Sequence, residues 1–406
     1  MAFDDLPDLL PLRLLKPFEG FEFNRSSKLL KVDSRRVVFA LALDRTLGDF
    51  VMQNLMAASI SESLGDCRLH LYYRDDRPFK SQVVALNSHV HKVWKSPGGM
   101  GLPIELFDVA SGAPVKAAES DWYTSFAASP DLLLTPTMMK QETLRSCETV
   151  ARFQVPEDQV SGFRQDLVER GLDSDQWFCV LHYREPSYQA RGPNALRDTD
   201  PEIALAVARH IIETLGGQVV RIGHPGMARF PNMPGLVDLS DVADGFMLQA
   251  FAISRARFFF EVSASGPALL AMALGTPVAR CNAPDLEGPL CDRSILLPMH
   301  IVGPTGDRVP QDLALAKGLI STVAVQNVLG PDGYRFQKNS VTELLMAAGE
   351  IIDRTTDCGF WRAVGPAAVA QGRNSLSWPL AQSANFKIVE YPEAFPKFFA
   401  SGSDPG

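Results

Sequence analysis

Four short stretches of this chain hold residue types that act on anions and hydroxyls. The first is Gly48-Asp49. A carboxylate beside a glycine, which allows close backbone approach, suits a general base acting on a hydroxyl. Asp49 could equally cap a helix starting at Phe50, since aspartate is a favoured N-cap. Spacing does not choose between the two. The second stretch is His182-Tyr183-Arg184, with Glu185 beside it and Arg191 and Arg197 following. Guanidiniums offer planar, bidentate donors to phosphate oxygens, so a loop with three of them fits a diphosphate clamp; the alternative is a solvated loop of local ion pairs. His182 alone is the weaker signal, because a histidine at a strand end is more often structural than catalytic.

The third stretch is Arg221-Ile222-Gly223-His224. Arg221 ends a very apolar run, so partial burial is expected and an anionic partner is required. That partner could be a ligand phosphate or a protein carboxylate such as Asp198. The fourth is Glu261-Val262-Ser263-Ala264-Ser265-Gly266-Pro267. Here an apolar strand runs into small polar residues and then a helix, whose free amides and dipole favour an anion. Ser263 and Ser265 add hydroxyls, and Gly266 lets a ligand come close. The alternative is that Ser265 is only an N-cap.

Other motifs carry less. Asp75-Asp76 resembles a metal-binding acidic pair, but its flanking arginines are expected to neutralise it in a solvated turn. Asp44 and Arg45 could simply pair with each other. No GxGxxG fingerprint follows the strand ending at Arg221, so a dinucleotide site of that kind lacks support. The six cysteines form no CxxC pair, and no metal or other cofactor is expected.

The elements that must position these residues alternate between strand and helix. In the first half a strand is expected over 36–43, a helix over 50–64 and a strand over 68–73, which is a βαβ unit and implies a parallel sheet. A short strand at 131–134 and a helix at 157–170 follow, with the lobe boundary near 172. The second half repeats the pattern: strands at 177–183, 218–222, 236–239, 256–261 and 276–280, and helices from 200, at 244–255 and at 266–274. Asp200-Pro201 reads as N-cap and first helical residue. A helix at 341–353 comes last. Residues 1–33 read as a lead-in, 34–172 and 173–385 as two doubly wound lobes, and 386–406 as a tail. Ligands of such sheets bind at the carboxyl ends of the strands, where the four stretches lie.

Composition bounds the class. The chain has 406 residues, 46% hydrophobic and 21% charged, with a net charge of -8. That is ordinary globular composition and argues against unselective nucleic-acid binding. The scattered cysteines point to a reducing compartment. The proline-interrupted acidic start lacks a signal-peptide pattern, and the longest apolar run, 37–43, is too short to span a bilayer. A cytoplasmic location is therefore expected. The leucines at 9, 10, 12, 14 and 15 could touch a membrane surface, or pack on the protein itself.

The blocks FCVLHYREPSY, GGQVVRIGHPG and ARFFFEVSASGPALLAMALGTPV, in that order, resemble a family of bacterial glycosyltransferases from surface-polysaccharide gene clusters. The resemblance is densest over 177–282. It implies a GT-B fold, with an acceptor lobe first and a nucleotide-sugar lobe second. A more distant likeness is to the heptosyltransferases, where a Gly-Asp loop after the first strand supplies the base; by that likeness the base is Asp49. Those enzymes open a helix at the donor phosphates with Asp-Thr-Gly. This chain has Ser263-Ala264-Ser265-Gly266 there, so those phosphate contacts do not carry over directly. Fucosyltransferases with a His-x-Arg motif are also similar, with the motif here at His182 and Arg184 and the arginine on the donor diphosphate.

Together these likenesses imply an inverting, metal-independent transfer from a nucleotide sugar to a glycan, lipid-linked or protein hydroxyl, in surface glycan synthesis or protein glycosylation. Asp49 would be the base. His182, Arg184, Arg197, Arg221, Gly223, Glu261, Ser263, Ser265 and Gly266 would bind the donor. Rival readings are a polysaccharide pyruvyl transferase, which shares the Gly-Asp loop, and a non-catalytic binding module on the same scaffold.

Overall fold

The structure is a computed structural model that describes residues 21–23, 36–65, 67–96, 106–108, 114–115, 132–134, 139, 147, 150–185, 196–284, 290–291, 293–309, 333–356 and 376–377. The N-terminal leucines, Arg191 and the C-terminal tail lie outside the described residues. The chain divides into two compact units, Met1–Pro156 and Glu157–Gly406.

Along the first unit run β1 (Phe21–Phe23), β2 (Arg36–Ala42), α1 (Leu47–Ser63), β3 (Cys67–Arg74), α2 (Pro78–Leu86), β4 (Val90–Ser96), β5 (Leu106–Asp108), β6 (Pro114–Val115) and β7 (Leu132–Leu134). The parallel sheet has the order β4-β3-β2-β7. Strand β2 is central because its run of apolar residues can be covered on both faces, and Val38, Phe39 and Ala40 are fully buried. β1, β5 and β6 form a small antiparallel sheet.

Helix α1 starts at Leu47, three residues before the expected Phe50. It is buried almost all round, so its polar side chains turn inward on the helix itself: Asn54 Nδ2 donates to the Phe50 carbonyl at 2.8 Å and Ser59 Oγ to the Leu55 carbonyl at 2.7 Å.

The second unit opens with α3 (Glu157–Glu169), then β8 (Phe178–His182), α4 (Pro201–Arg209), β9 (Gln218–Arg221), β10 (Leu236–Asp238), α5 (Phe246–Arg255), β11 (Phe259–Glu261), α6 (Gly266–Ala273), β12 (Val278–Ala283), β13 (Leu290–Cys291), β14 (Ile295–Pro298), β15 (His300–Val302), β16 (Arg335–Gln337), α7 (Val341–Arg354) and β17 (Leu376–Ser377). Helix α3, expected in the first lobe, belongs here. Phe163 on it meets Phe251 of α5, ring centroids 5.8 Å apart, which anchors the helix to the second core.

Six parallel strands lie in the order β10-β9-β8-β11-β12-β14. Numbered along the sheet's own chain order, this is 3-2-1-4-5-6, the doubly wound arrangement. The expected N-cap and Pro start of α4 are present: Asp200 accepts from the Glu202 amide at 3.0 Å, with Pro201 next. A π-helical turn, His210–Thr214, ends the helix. Gly216 then takes a φ of 71°, and a Cβ on Gly217 would collide with the Trp177 ring. Cys179 and Cys281 are fully buried among Leu181, Ala279 and Leu297, and burial pushes both thiols well above their ordinary range.

Candidate active site

The strand order reverses between β8 and β11, and the carboxyl ends flanking that switch point are where a doubly wound sheet binds ligands. His182 ends β8 and Glu261 ends β11, and the two residues are register partners. The chains leaving both strands stay tied together. The Val262 amide donates to the His182 carbonyl at 2.9 Å, and the Arg184 amide donates to Ser263 Oγ at 3.0 Å. β9, ending in Arg221, pairs with the other edge of β8. Three of the four stretches singled out by residue type therefore converge on one sheet edge.

Ser265 stands at the N-cap of α6, but its side chain makes no capping hydrogen bond. Its Oγ donates to Glu261 Oε1 at 2.9 Å and lies 2.9 Å from His182 Nδ1. An arrangement in which the hydroxyl donates to Glu261 and accepts from Nδ1–H satisfies all three groups and leaves Nε2 of a neutral His182 as an acceptor. Glu261 also accepts the Ser265 amide. It is fully buried and lies 3.5 Å from Arg280 Nε. The Glu261 carboxylate, expected to bind the donor, accepts both the Ser265 amide and its hydroxyl in this structure. Ser263 is also fully buried, and its hydroxyl accepts from the Arg184 amide. Ser265 and Gly266 are half-buried, at the amide end of α6.

Burial, reinforced by the charges of His224, Arg221 and Arg184, lowers the His182 pKa from 6.5 to about 3. His70 of β3 is lowered to about 4 by burial and by Lys92, His91 and Arg68. Each native histidine binds fewer protons than its unfolded counterpart. The stability this contributes is complete above pH 6.5 and is lost as pH falls towards the folded values. Unfolding free energy is expected to drop by about 1.4 kcal/mol per pH unit per histidine between pH 6.5 and 4. Denaturant titrations across that range check it, with His182→Gln expected to give a shallower slope.

Arg184 Nε pairs with Asp198 at 3.1 Å, and both residues are buried. The Thr199 amide donates to the Arg184 carbonyl at 2.8 Å, closing the loop between β8 and α4 onto its own start. Arg197, in a 3-10 turn just before Asp198, is half-buried. Of the expected three-arginine loop, Arg191 falls outside the described residues.

Arg221 is fully buried and does not present its charge at the surface of this edge. Its Nη1 binds Asp238 at 2.6 Å, its Nη2 donates to Tyr183 Oη at 2.9 Å, and Glu185 lies 3.8 Å away. The guanidinium sits over the Phe230 ring at 4.2 Å and the Tyr183 ring at 5.2 Å. The required anion is therefore Asp238, with Glu185 behind it; Asp198 belongs to Arg184. Arg221, expected on the donor, is engaged in this structure by Asp238 and by Tyr183, the neighbour of Arg184. At Gly223 a Cβ would strike Met227 Sδ.

In the first unit Asp49 lies in the first turn of α1 and is exposed. The cap is Thr46, whose Oγ1 accepts from the Asp49 amide at 3.3 Å and donates to Asp49 Oδ2 at 2.6 Å. Asp49 is thus not the N-cap, and its carboxylate is held at the amide end of the helix, where the dipole favours a negative charge. Asp44 bonds Gln53 Nε2 at 2.5 Å rather than Arg45. Burial, then the nearby Asp49, raise the Asp44 pKa, while Lys80 opposes them. Arg45 pairs with Asp76 at 3.4 Å. Asp76 is held chiefly by the fully buried Lys80 at 2.7 Å, not by its flanking arginines.

Sequence reasoning gave no role to Lys80, Asp238 or Tyr183, which hold Asp76 and Arg221. A carboxylate at the end of β10 opposite an arginine at the end of β9 was a usable signal for Asp238, since the two are register partners. Among the described residues, no group of three or more His, Cys, Asp or Glu is arranged around a metal position, and no helix is long and apolar enough to cross a membrane.

No family model matches the chain, and no curated protein matches it. It is similar to solved glycosyltransferases. One is the glycosyl transferase family 9 protein from Veillonella parvula DSM 2008, at 12% identity and TM-score 0.47 over 80% of this chain and 99% of that one. Another is E. coli ADP-heptose LPS heptosyltransferase II, at 11% identity and TM-score 0.39 over 62% and 85%. A third is E. coli heptosyltransferase WaaC with ADP, at 13% identity and TM-score 0.36 over 73% and 97%. At such values the similarity leaves the chemistry to be argued from this chain's own side chains.

Proposed function

We propose that the protein is a nucleotide-sugar-dependent glycosyltransferase of the GT-B type that transfers a sugar, with inversion, to an acceptor hydroxyl. One observation carries this reading: His182, Arg184 and the Ser265-Gly266 start of α6 meet at the switch point of the second unit's sheet. A guanidinium and a helix amide end suit a diphosphate. The neutral His182, with Nε2 as acceptor, suits a donor hydroxyl. As the sugar's anomeric carbon leaves the nucleoside diphosphate, Arg184 and the α6 amides stabilise the charge that develops on the leaving oxygen. This is the charge stabilisation that a metal would otherwise supply. Asp49 takes the acceptor proton. The acceptor is a glycan, lipid-linked or protein hydroxyl, used in the cytoplasm.

A thermal-shift screen over UDP-, GDP-, CMP- and dTDP-sugars tests the reading, since a ligand at a hundred times its dissociation constant stabilises by about 2.7 kcal/mol. One sugar nucleotide is expected to raise the midpoint clearly. Arg184→Lys is expected to weaken its binding about tenfold by losing the planar fork. A shift with phosphoenolpyruvate alone, or with no ligand at all, overturns the proposal.

A further inference from the structure

Lys338 lies far along the chain from the three converging stretches, yet it arrives at the same loop. Its Nζ donates to the Asp198 carbonyl. Asp198 is the residue whose carboxylate holds Arg184 at 3.1 Å. What brings Lys338 there is a reciprocal clasp beside it. The Asn339 amide donates to Asn282 Oδ1 at 2.6 Å, and the Asn282 amide donates to Asn339 Oδ1 at 3.0 Å. Both side chains are buried, and each anchors a second backbone: Asn282 Nδ2 on the Val262 carbonyl and Asn339 Nδ2 on the Pro298 carbonyl, both at 2.9 Å. Val262 is the residue that follows Glu261 at the end of β11. Asn282 takes a left-handed φ of 50° to make this contact, a conformation that asparagine tolerates better than most residues. Four buried hydrogen bonds thus fix the residue next to Lys338 between the chain leaving β11 and the end of β14.

Arg184 and Lys338 both converge on Asp198, one on its carboxylate and one on its carbonyl, which brings an ammonium to the residue that holds the guanidinium. The adjacent Thr199 hydroxyl is 2% exposed and has no hydrogen-bond partner among the described residues, and such buried orphans call for an explanation. Burial lowers the Lys338 pKa while Asp198 pulls it back up. Lys338 remains half-buried, with an ammonium that carries three N–H donors.

We propose that Lys338 is a further cation of the donor site, binding the diphosphate beside Arg184. This rests on the donor site proposed above. The test measures the affinity of the full-length protein for inorganic pyrophosphate and for UDP, GDP, CDP and dTDP by calorimetry at low salt. The corresponding unphosphorylated nucleosides are measured alongside.

Lys338→Met is expected to weaken pyrophosphate and diphosphate binding about tenfold to a hundredfold. Nucleoside binding and the thermal midpoint of the unliganded protein should stay as in the wild type. Lys338→Arg is expected to restore most of the lost affinity, and it also serves if the methionine variant does not fold. An equal loss for nucleoside and diphosphate would mark Lys338 as a mere tether and overturn the inference. So would wild-type diphosphate affinity in Lys338→Met alongside a loss in Arg184→Lys, which leaves the donor site itself standing. A wild-type protein that binds neither pyrophosphate nor any nucleoside diphosphate removes the donor site, and this inference with it.

Discussion

Arg221→Met is expected to lower the stability of the second unit by about 3–5 kcal/mol, the usual cost of stranding a buried partner charge. The guanidinium is fully buried, and its removal leaves Glu185, 6% exposed, without its cation. Asp238 loses a 2.6 Å contact at the same time. Tyr183 Oη, which donates to Glu185 at 2.6 Å, loses the donor it accepts from. Methionine fills much of the volume but none of the charge. Arg221→Lys is expected to recover only part of the loss. An ammonium cannot reach Asp238 and Tyr183 together as a planar fork does, nor stack on Phe230 in the same way. Urea titration checks both variants: the midpoint falls while the slope stays constant. A change under about 1 kcal/mol for the methionine variant would mean that the pair contributes no more than an apolar core residue would, as some buried ion pairs do.

Asp49→Asn is expected to lower turnover by about 10²- to 10⁴-fold, the range for loss of a general base. Donor affinity and thermal midpoint should hardly change. Asparagine can still accept from Thr46 Oγ1, and the side chain is exposed. Steady-state kinetics with the donor found in the thermal-shift screen measure this. Asp44→Asn is the informative control, because burial and the nearby Asp49 raise the Asp44 pKa and make it a second candidate for holding the proton. A large loss in Asp44→Asn with full activity in Asp49→Asn would move the base to Asp44.

Legibility differed from residue to residue for physical reasons. Strands such as β2 and β8 were readable because continuous apolar runs suit strands covered on both faces. The Asp200-Pro201 start of α4 was readable because capping is local. The start of α1 lies three residues before the expected Phe50 because the Thr46 hydroxyl, not Asp49, takes the cap. Arg184 and Ser265 were singled out by their type and their place after strands, a rule that holds for any doubly wound sheet. The protein partners of Glu261 and Ser263, which share that placement, were not legible, because alternation along a strand does not extend past its end.

By itself the sequence determined the alternating α/β pattern, the parallel sheets it implies, and the strand ends at which polar residues gather. These follow from periodicity, capping and turn chemistry, all of which act over a few neighbouring residues. The tertiary structure alone decided which carboxylate meets which arginine, that Ser265 bonds His182 and Glu261 instead of capping its helix, and that Lys338 reaches Asp198 from far along the chain. Such pairings depend on strand order and on loops closing in space, and neither leaves a local signature in the order of residues.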